Sequence, residues 1–577
     1  MSSPLPLNHV STTTSGKDEF DQSCDDFDSY PSNLCRSGHG KTARETANTI
    51  WERESKRTFN HKKSILKFVE TCDCSKINVS ASESVVSTSA DQLTQNFCLC
   101  QPQLQAVDSL EKLKNHLDTN EADPRVRYVS IQSGSAKNPL NCSPAMFQYL
   151  CTYHQIPPSA LNCVYSFRTI LLSYDYCLAM FKDENTLLAS QGHTLALDHL
   201  GRSGREIRYS FLLRSVENSS SVPGTSWGIR QLAVYHSFDV QSGQAFWMTC
   251  KGNSAIESSI YDAISNDSTF KPGALRSVPE AFSATFDILA MILDWCDENW
   301  RWYINEMVDK VMEKAGMVKT YKIADEPNFP DLKKRLTFGA QADDSKRPRS
   351  PSVDLECGIR LRNYIKAFSF SNKPTGQSRA YIEDAVDELE KLEVFSFKEL
   401  QEFQELLERI QEALLVLKLN YQAIKQLRDH YQALMTQYRI PEMETIRSQC
   451  RNSFLQFSRR SRSVEGNIET RQAQLDSLHK LAQENKTLYE SVLQYKSFQT
   501  DRIYADSAQS SAHNMEIIAN KTKQETTSMH VITFVTLIFL PATFMAGLAE
   551  LPGILEFIYP ISKIRLYWVE ERLITDL

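Results

Sequence analysis

"SMHVITFVTLIFLPATFMAGLAE", residues 528–550, is a long apolar run in a chain that is otherwise polar. Between Glu525 and Glu550 no residue carries a charge when His530 is neutral. The strongly apolar part, Met529–Ala549, is 21 residues long. At about 1.5 Å per residue a helix of that length reaches ~31 Å, against a bilayer hydrocarbon core of ~30 Å. A buried helix of a soluble protein normally keeps one polar face. Here the polar side chains are His530, Thr533, Thr536 and Thr543, and a threonine can return its hydroxyl to the backbone. Pro541 is better tolerated in a membrane helix than in a soluble one. The stretch reads as one transmembrane helix over 529–549.

Working upstream, "DSAQSSAHNMEIIANKTKQETTSMHVITF" contains neither Pro nor Gly, so the helix is expected to enter the bilayer without a break, as a stalk. Before it, Phe403, Leu407, Ile410, Leu414, Leu417, Tyr421 and Ile424 alternate gaps of four and three. After one slip the pattern resumes with Leu427, Tyr431, Leu434 and Tyr438, a heptad seam with a defect. Pro441 interrupts it, and a second run follows: Phe454, Phe457, Val464, Ile468, Leu475, Leu478, Leu488, Val492 and Tyr495. Residues 381–528 are therefore expected to form a long antiparallel helical hairpin, a coiled-coil stalk. Taken alone, this region also suits a helical bundle with no membrane role.

Residues 124–320 have the texture of a folded domain. "RVRYVSIQ" (125–132) and "EIRYSFLLRSV" (206–216) read as strands. "IRQLAVYHSFDV" (229–240), the turn "QSGQ" and "AFWMTCKG" (245–252) read as a hairpin. "SPAMFQYLCTYHQI" (143–156) places Met146, Phe147, Leu150 and Tyr153 at helical spacing, with Ser143 as N-cap ahead of Pro144. One amphipathic helix is expected over 277–314. This gives an α/β or α+β cytosolic domain. Residues 321–380 are rich in Pro and charge and read as a linker. Residues 1–123, rich in Ser, Thr, Asp and Asn with no apolar period, read as disordered, with a short helix around Ser64–Glu70.

Composition narrows the function. The net charge of -7 over 577 residues argues against a nucleic-acid surface. The first residues lack a basic-then-apolar signal, so the bulk of the chain is expected in the cytosol. Fourteen scattered cysteines fit reduced thiols, and the pairs Cys72/Cys74 and Cys98/Cys100 lack the spacing of zinc knuckles. "GRSGRE" (201–206) lacks the Lys-Ser/Thr of a phosphate-binding loop. With no nucleophile–base pairing either, the chain is not expected to be an enzyme, and no cofactor is expected.

"MHVITFVTLIFLPATFMAGL" resembles the first transmembrane helix of the CorA magnesium-channel family, through Phe539-Leu540-Pro541, Thr543-Phe544 and Ala546-Gly547. "TYHQIPP", "GRSGREIRYSFLLRSVE" and "GIRQLAVYHSFDVQSG" are similar to the divergent fungal CorA-like proteins. The resemblance covers roughly 125–550. It implies a homo-oligomer, a pentamer in the family, whose first helix lines a central pore for hydrated Mg²⁺ in lipid. Carried over by position, the pore-lining residues are Met529, Ile532, Thr536, Leu540, Thr543 and Gly547, and their spacing puts them on one helix face.

The chain also departs from that family. A Gly-Met-Asn loop follows the first helix in the family; Glu550, Leu551 and Pro552 stand there, and Gly-Met-Asn occurs nowhere in the sequence. Glu550 is the candidate pore-mouth residue, offering a carboxylate ring in place of a neutral amide. Residues 550–577 contain no second run of ~20 apolar residues and read as a short non-spanning tail, genuine or the product of a faulty gene model. The expected function is a divalent-cation channel. The alternative is a non-conducting single-span adaptor or regulator.

Overall fold

The computed structural model describes residues 16–34, 41–60, 62–71, 104–118, 122–135, 138–168, 181–188, 195–219, 226–271, 274–320 and 392–549. The linker expected over 321–380, the two close cysteine pairs, Glu550 and the tail lie outside them. The chain divides into two compact units, Met1–Ile323 with Gln401–Lys486, and Ala324–Leu400 with Thr487–Leu577.

A seven-stranded sheet organises the first unit. Its strands are β1 (Leu66–Glu70), β2 (Leu104–Val107), β3 (Val126–Gln132), β4 (Phe181–Asp183), β5 (Glu206–Asn218), β6 (Trp227–Asp239) and β7 (Ala245–Lys251). They lie in the order β2-β1-β3-β7-β6-β5-β4. Only β3 and β7 run parallel; every other pairing is antiparallel. The β6–β7 turn is held by Asp239, whose carboxylate accepts from Gln241 N and Ser242 N at 2.9 Å each. Gly243 completes it at φ +75°, where a side chain would strain the backbone and meet Arg125 at 2.9 Å.

Strand alternation sorts the sheet into two faces, both buried. Val129, Ile131, Leu212, Ala233, Tyr235, Phe246, Met248 and Cys250 join one core with α1 (Gly16–Asp25), α2 (Lys41–Thr58), α3 (Leu110–Asp118), α4 (Pro144–Tyr153) and α5 (Leu161–Val164). The intervening residues, among them Tyr209, Phe238 and Trp247, point the other way and are also buried. The sequence-derived start of α4 holds: the Ser143 hydroxyl accepts from Met146 N, with Pro144 in the first turn.

Two expectations need correction. Residues 16–34, 41–60, 62–71 and 104–118 are not a disordered leader: Phe20, Phe27, Tyr30, Trp51 and Phe59 are buried in the core, and Ser64–Glu70 contains strand β1 rather than a helix. These aromatics sit singly in polar sequence. No local period betrays them, because their partners, such as Phe147 and Tyr149 of α4, lie far along the chain. The helix expected over 277–314 is two helices, α7 (Val278–Asp297) and α8 (Trp300–Thr320), preceded by α6 (Ala255–Asn266). The break falls at Asn299, which adopts φ +63° and donates its amide to Val216 O at 3.2 Å. The start of α7 carries a capping box between Ser277 and Glu280.

Three further helices complete the described chain: α9 (Phe397–Thr436), α10 (Pro441–Gln449) and α11 (Arg451–Ala549). Pro441 opens α10, as its missing N–H favours. In the first unit α9 and α11 run antiparallel: Gln411 meets His479, Arg428 meets Glu465 and Tyr431 meets Phe457. The heptad seam is only part of the buried stripe. Leu406, Ala413, Val416, Asn420 and Ala423 are buried beside it, while Leu414 and Tyr421 are half-buried. The stripe is wide because α9 also packs on the sheet domain. The Tyr431 hydroxyl lies 2.9 Å from that of Tyr209, and the Asn420 amide pairs with Arg214, accepting from its N at 3.0 Å and donating to its O at 2.6 Å. In the second unit, Tyr489 packs on Phe395 with ring centroids 5.2 Å apart and accepts from Ser396 N at 3.0 Å.

Candidate functional site

The candidate permeation segment is the last part of α11. Among the described residues α11 is the one helix long and apolar enough to cross a membrane, and none of its apolar window is buried. Met529, Ile532 and Leu540 are each more than 60% exposed, and so are Leu537 and Phe544 elsewhere on the circumference. An apolar surface of this extent is not tolerated in water on every side of a helix.

The threonines satisfy themselves. Thr533 donates to Met529 O at 2.7 Å, Thr536 to Ile532 O at 2.9 Å and Thr543 to Phe539 O at 2.8 Å. Each hydroxyl proton is thus turned along the helix, which leaves the oxygen lone pairs outward as acceptors. At ~100° per residue, Met529, Ile532, Thr536, Leu540, Thr543 and Gly547 fall within an arc of ~80°, and Thr533 borders it. The helix is continuous through Pro541, which removes one ladder donor. A side chain built at Gly547 would meet nothing within 4 Å, so contacts within the chain do not require glycine there. Glu550 lies outside the described residues.

A second polar constellation, unmarked by any sequence motif, lies at one end of the sheet. Asp123 precedes β3 and is buried between two arginines. Its carboxylate accepts from Arg127 Nη1 at 2.7 Å and from Arg202 Nε at 2.6 Å. Arg127 also donates to Glu70 of β1, and Arg202 to Tyr153 O at 2.6 Å. Burial acts to raise the Asp123 pKa, but the Arg202 and Arg127 charges outweigh it and hold the carboxyl below its usual range. His154 stacks on Phe246 at 3.7 Å, and burial together with Arg202 and Arg127 pushes its pKa well below the ordinary imidazole value. A cavity of about 30 Å³ is lined by Asp123, Arg127, His154, Arg202, Glu206 and Asp239. It has room for a water or two and both charge signs on its wall. The arrangement is an ionic joint between β1, β3 and the loop before β5. The one visible signal was Arg127, which alternation puts on the same face of β3 as Val129 and Ile131. Among the described residues no group of three or more His, Cys, Asp or Glu is placed to hold a metal.

A mixed-sheet domain with long helices, one of which ends in a bare apolar segment of bilayer length, defines a membrane protein with a large water-exposed part. The chain belongs to the CorA-like transporters, whose family model matches residues 22–319. No curated protein matches it. The match begins within α1, inside the region that sequence texture had marked as disordered. The family is one of transporters rather than enzymes, and its members are typically homo-oligomeric membrane proteins.

Proposed function

We propose that this chain forms a homo-oligomeric channel for hydrated divalent cations, Mg²⁺ above all, with the α11 stripe Met529, Ile532, Thr536, Leu540, Thr543 and Gly547 facing the pore. The observation that carries the reading is the chemistry of that stripe: apolar rings alternate with threonines whose donor protons are already committed to the backbone. Mg²⁺ gives up its waters reluctantly, so a pore passes it with its shell attached. Waters bound to a dication present their hydrogens outward, and an acceptor-only oxygen suits them. The apolar rings between the threonines can close by losing water. Gly547, with open space where a side chain would be, lets neighbouring helices approach closely.

The reading is tested by reconstituting the full chain into liposomes loaded with a fluorescent Mg²⁺ indicator. A Mg²⁺ gradient should raise the signal in proteoliposomes and leave it flat in empty vesicles. Incorporated but silent protein would remove the channel function and leave an anchored, non-conducting relative.

A further inference from the structure

A groove of about 620 Å³ lies between α8 and α11, wholly within the first unit. Each helix turns one face to it, at positions spaced i, i+3, i+4 and i+7: 301–308 on α8 and 467–474 on α11. Arg301 and Arg471 stand on opposite walls. Three amides, Asn305, Asn467 and Gln474, and the Thr470 hydroxyl fill most of the rest. Neither a carboxylate nor an aromatic ring lines the groove, in a chain whose net charge is -7. The polar side chains are held from behind. Asp297, at the end of α7, accepts from Arg471 Nη1 at 2.5 Å and from Asn467 Nδ2 at 2.9 Å. Among the described contacts this leaves Nε and Nη2 of Arg471 and Oδ1 of Asn467 uncommitted. Thr470 donates to Gly466 O at 3.0 Å, which leaves its oxygen as an acceptor. Arg301 is exposed and lies over the Trp302 ring at 5.3 Å, and among the described residues no carboxylate pairs with it. Arg301, Arg471 and Asp297 together leave one positive charge in excess at the groove.

We propose that this groove binds a phosphorylated sugar or polyol, with the phosphate between Arg301 and Arg471. A guanidinium is always charged, and its planar fork of donors matches phosphate oxygens. Sugar hydroxyls both donate and accept, and the amides with Thr470 supply both kinds of partner. The volume lies in the range of small-molecule sites. Each wall runs only about 10 Å along its helix, two turns, which is short for a docked helix and ample for a small ligand. With no aromatic side chain on the wall, a nucleobase finds no stacking surface, so a sugar phosphate fits better than a nucleotide. The cavity beside Asp123 does not suit this ligand: at about 30 Å³ it is too small, and Asp123, Glu206 and Asp239 on its wall repel an anion. A ligand in the groove bridges α8 to α11. Its binding does not depend on conduction, so the site stands or falls apart from the channel reading.

The test is isothermal titration of the full-length chain, in detergent and phosphate-free buffer, with glucose 6-phosphate, glucose, inorganic phosphate and AMP as probes. Glucose 6-phosphate should bind once per chain. Glucose should give no heat, and inorganic phosphate and AMP should each bind more weakly than the sugar phosphate. Arg301→Gln removes an exposed side chain and breaks no described ion pair, so the unliganded melting temperature should stay as in wild type. Its affinity for glucose 6-phosphate should fall about tenfold, the loss of one charge-assisted contact. Arg462→Gln, exposed on α11 outside the groove, should bind as wild type does. No heat from glucose 6-phosphate at millimolar concentration overturns the proposal. So does binding that Arg301→Gln leaves intact, which would place the ligand elsewhere. Inorganic phosphate binding as tightly as the sugar phosphate, or AMP binding more tightly, overturns the assigned class of ligand.

Discussion

Asp123 is bonded by two arginines that are themselves buried, so it carries more than one hydrogen bond's worth of consequence. Replacing its carboxylate with an amide leaves Arg127 with Glu70 alone and takes from Arg202 its ion-pair partner, in a water-poor site. Asp123→Asn should therefore cost on the order of 3–5 kcal/mol, read from urea unfolding of the full chain in detergent. The pH dependence follows from the same groups. Asp123 has a folded pKa below its unfolded one. Its contribution is complete above about pH 4 and disappears as the pH falls through the lower folded value. His154 and His236 are lowered by burial, His236 to about 3, so in acid the unfolded chain gains protons that the folded chain refuses. That loss begins at about pH 6.5. Stability should thus decline in two stages on acidification, and Asp123→Asn should abolish much of the lower stage while leaving the upper one. A single stage confined below pH 4 in the wild type would show that the histidines are charged in the fold.

Among the elements, the helix pair α7–α8 shows what local patterning conveys and what it omits. The apolar positions Phe282, Phe286, Leu289, Ile292, Leu293 and Trp295 were legible and are buried, whereas Trp302, read with them, is 54% exposed. The break between the two helices was not, because Asn299 carries no proline or glycine signal and its left-handed backbone is supported by Val216, over eighty residues away in sequence. Asn299→Ala should cost about 1–3 kcal/mol, since alanine neither tolerates φ +63° nor replaces the amide bond to Val216. Differential scanning fluorimetry against Asn305→Ala, an exposed site inside α8, separates this from a general effect. Strands β3, β5, β6 and β7 were readable because each buries both faces and is dense in β-formers. β1 and β2 were not, being short and set in polar chain. On α11 the candidate pore stripe came from the family resemblance and its placement on one helix face from spacing, whereas the direction of the hydroxyl protons required the structure. The Asp123 joint escaped notice because Glu70, Asp123, His154 and Arg202 converge only once the sheet is assembled.

At the scale of the whole molecule, the decisive matter is whether the exposed end of α11 is solvated by lipid. The water-exposed unit and the apolar segment are built from different interactions: a two-faced sheet core in the one, a single helix with no buried window in the other. A charge placed on the back of that helix should therefore damage membrane integration and nothing else. Ile538 lies about 160° from the centre of the proposed pore face, on the side assigned to lipid, and is half exposed at 51%. An arginine near the middle of a spanning helix costs about 2.5–3.5 kcal/mol on insertion scales, enough to shift a lone marginal span by more than tenfold. Ile538→Arg should move a large share of the chain from the carbonate-resistant membrane fraction to the soluble one. The tryptophan fluorescence of the first unit, to which the buried Trp51, Trp247, Trp295 and Trp300 contribute, should stay as in wild type. Thr527→Arg, two residues before the apolar stretch and still in the polar approach, should leave the membrane fraction unchanged, since an arginine there reaches water. If Ile538→Arg instead kept its place in the membrane while the tryptophan emission shifted red, the apolar helix would be packing against protein, and the membrane-spanning reading of 529–549 would have to be given up.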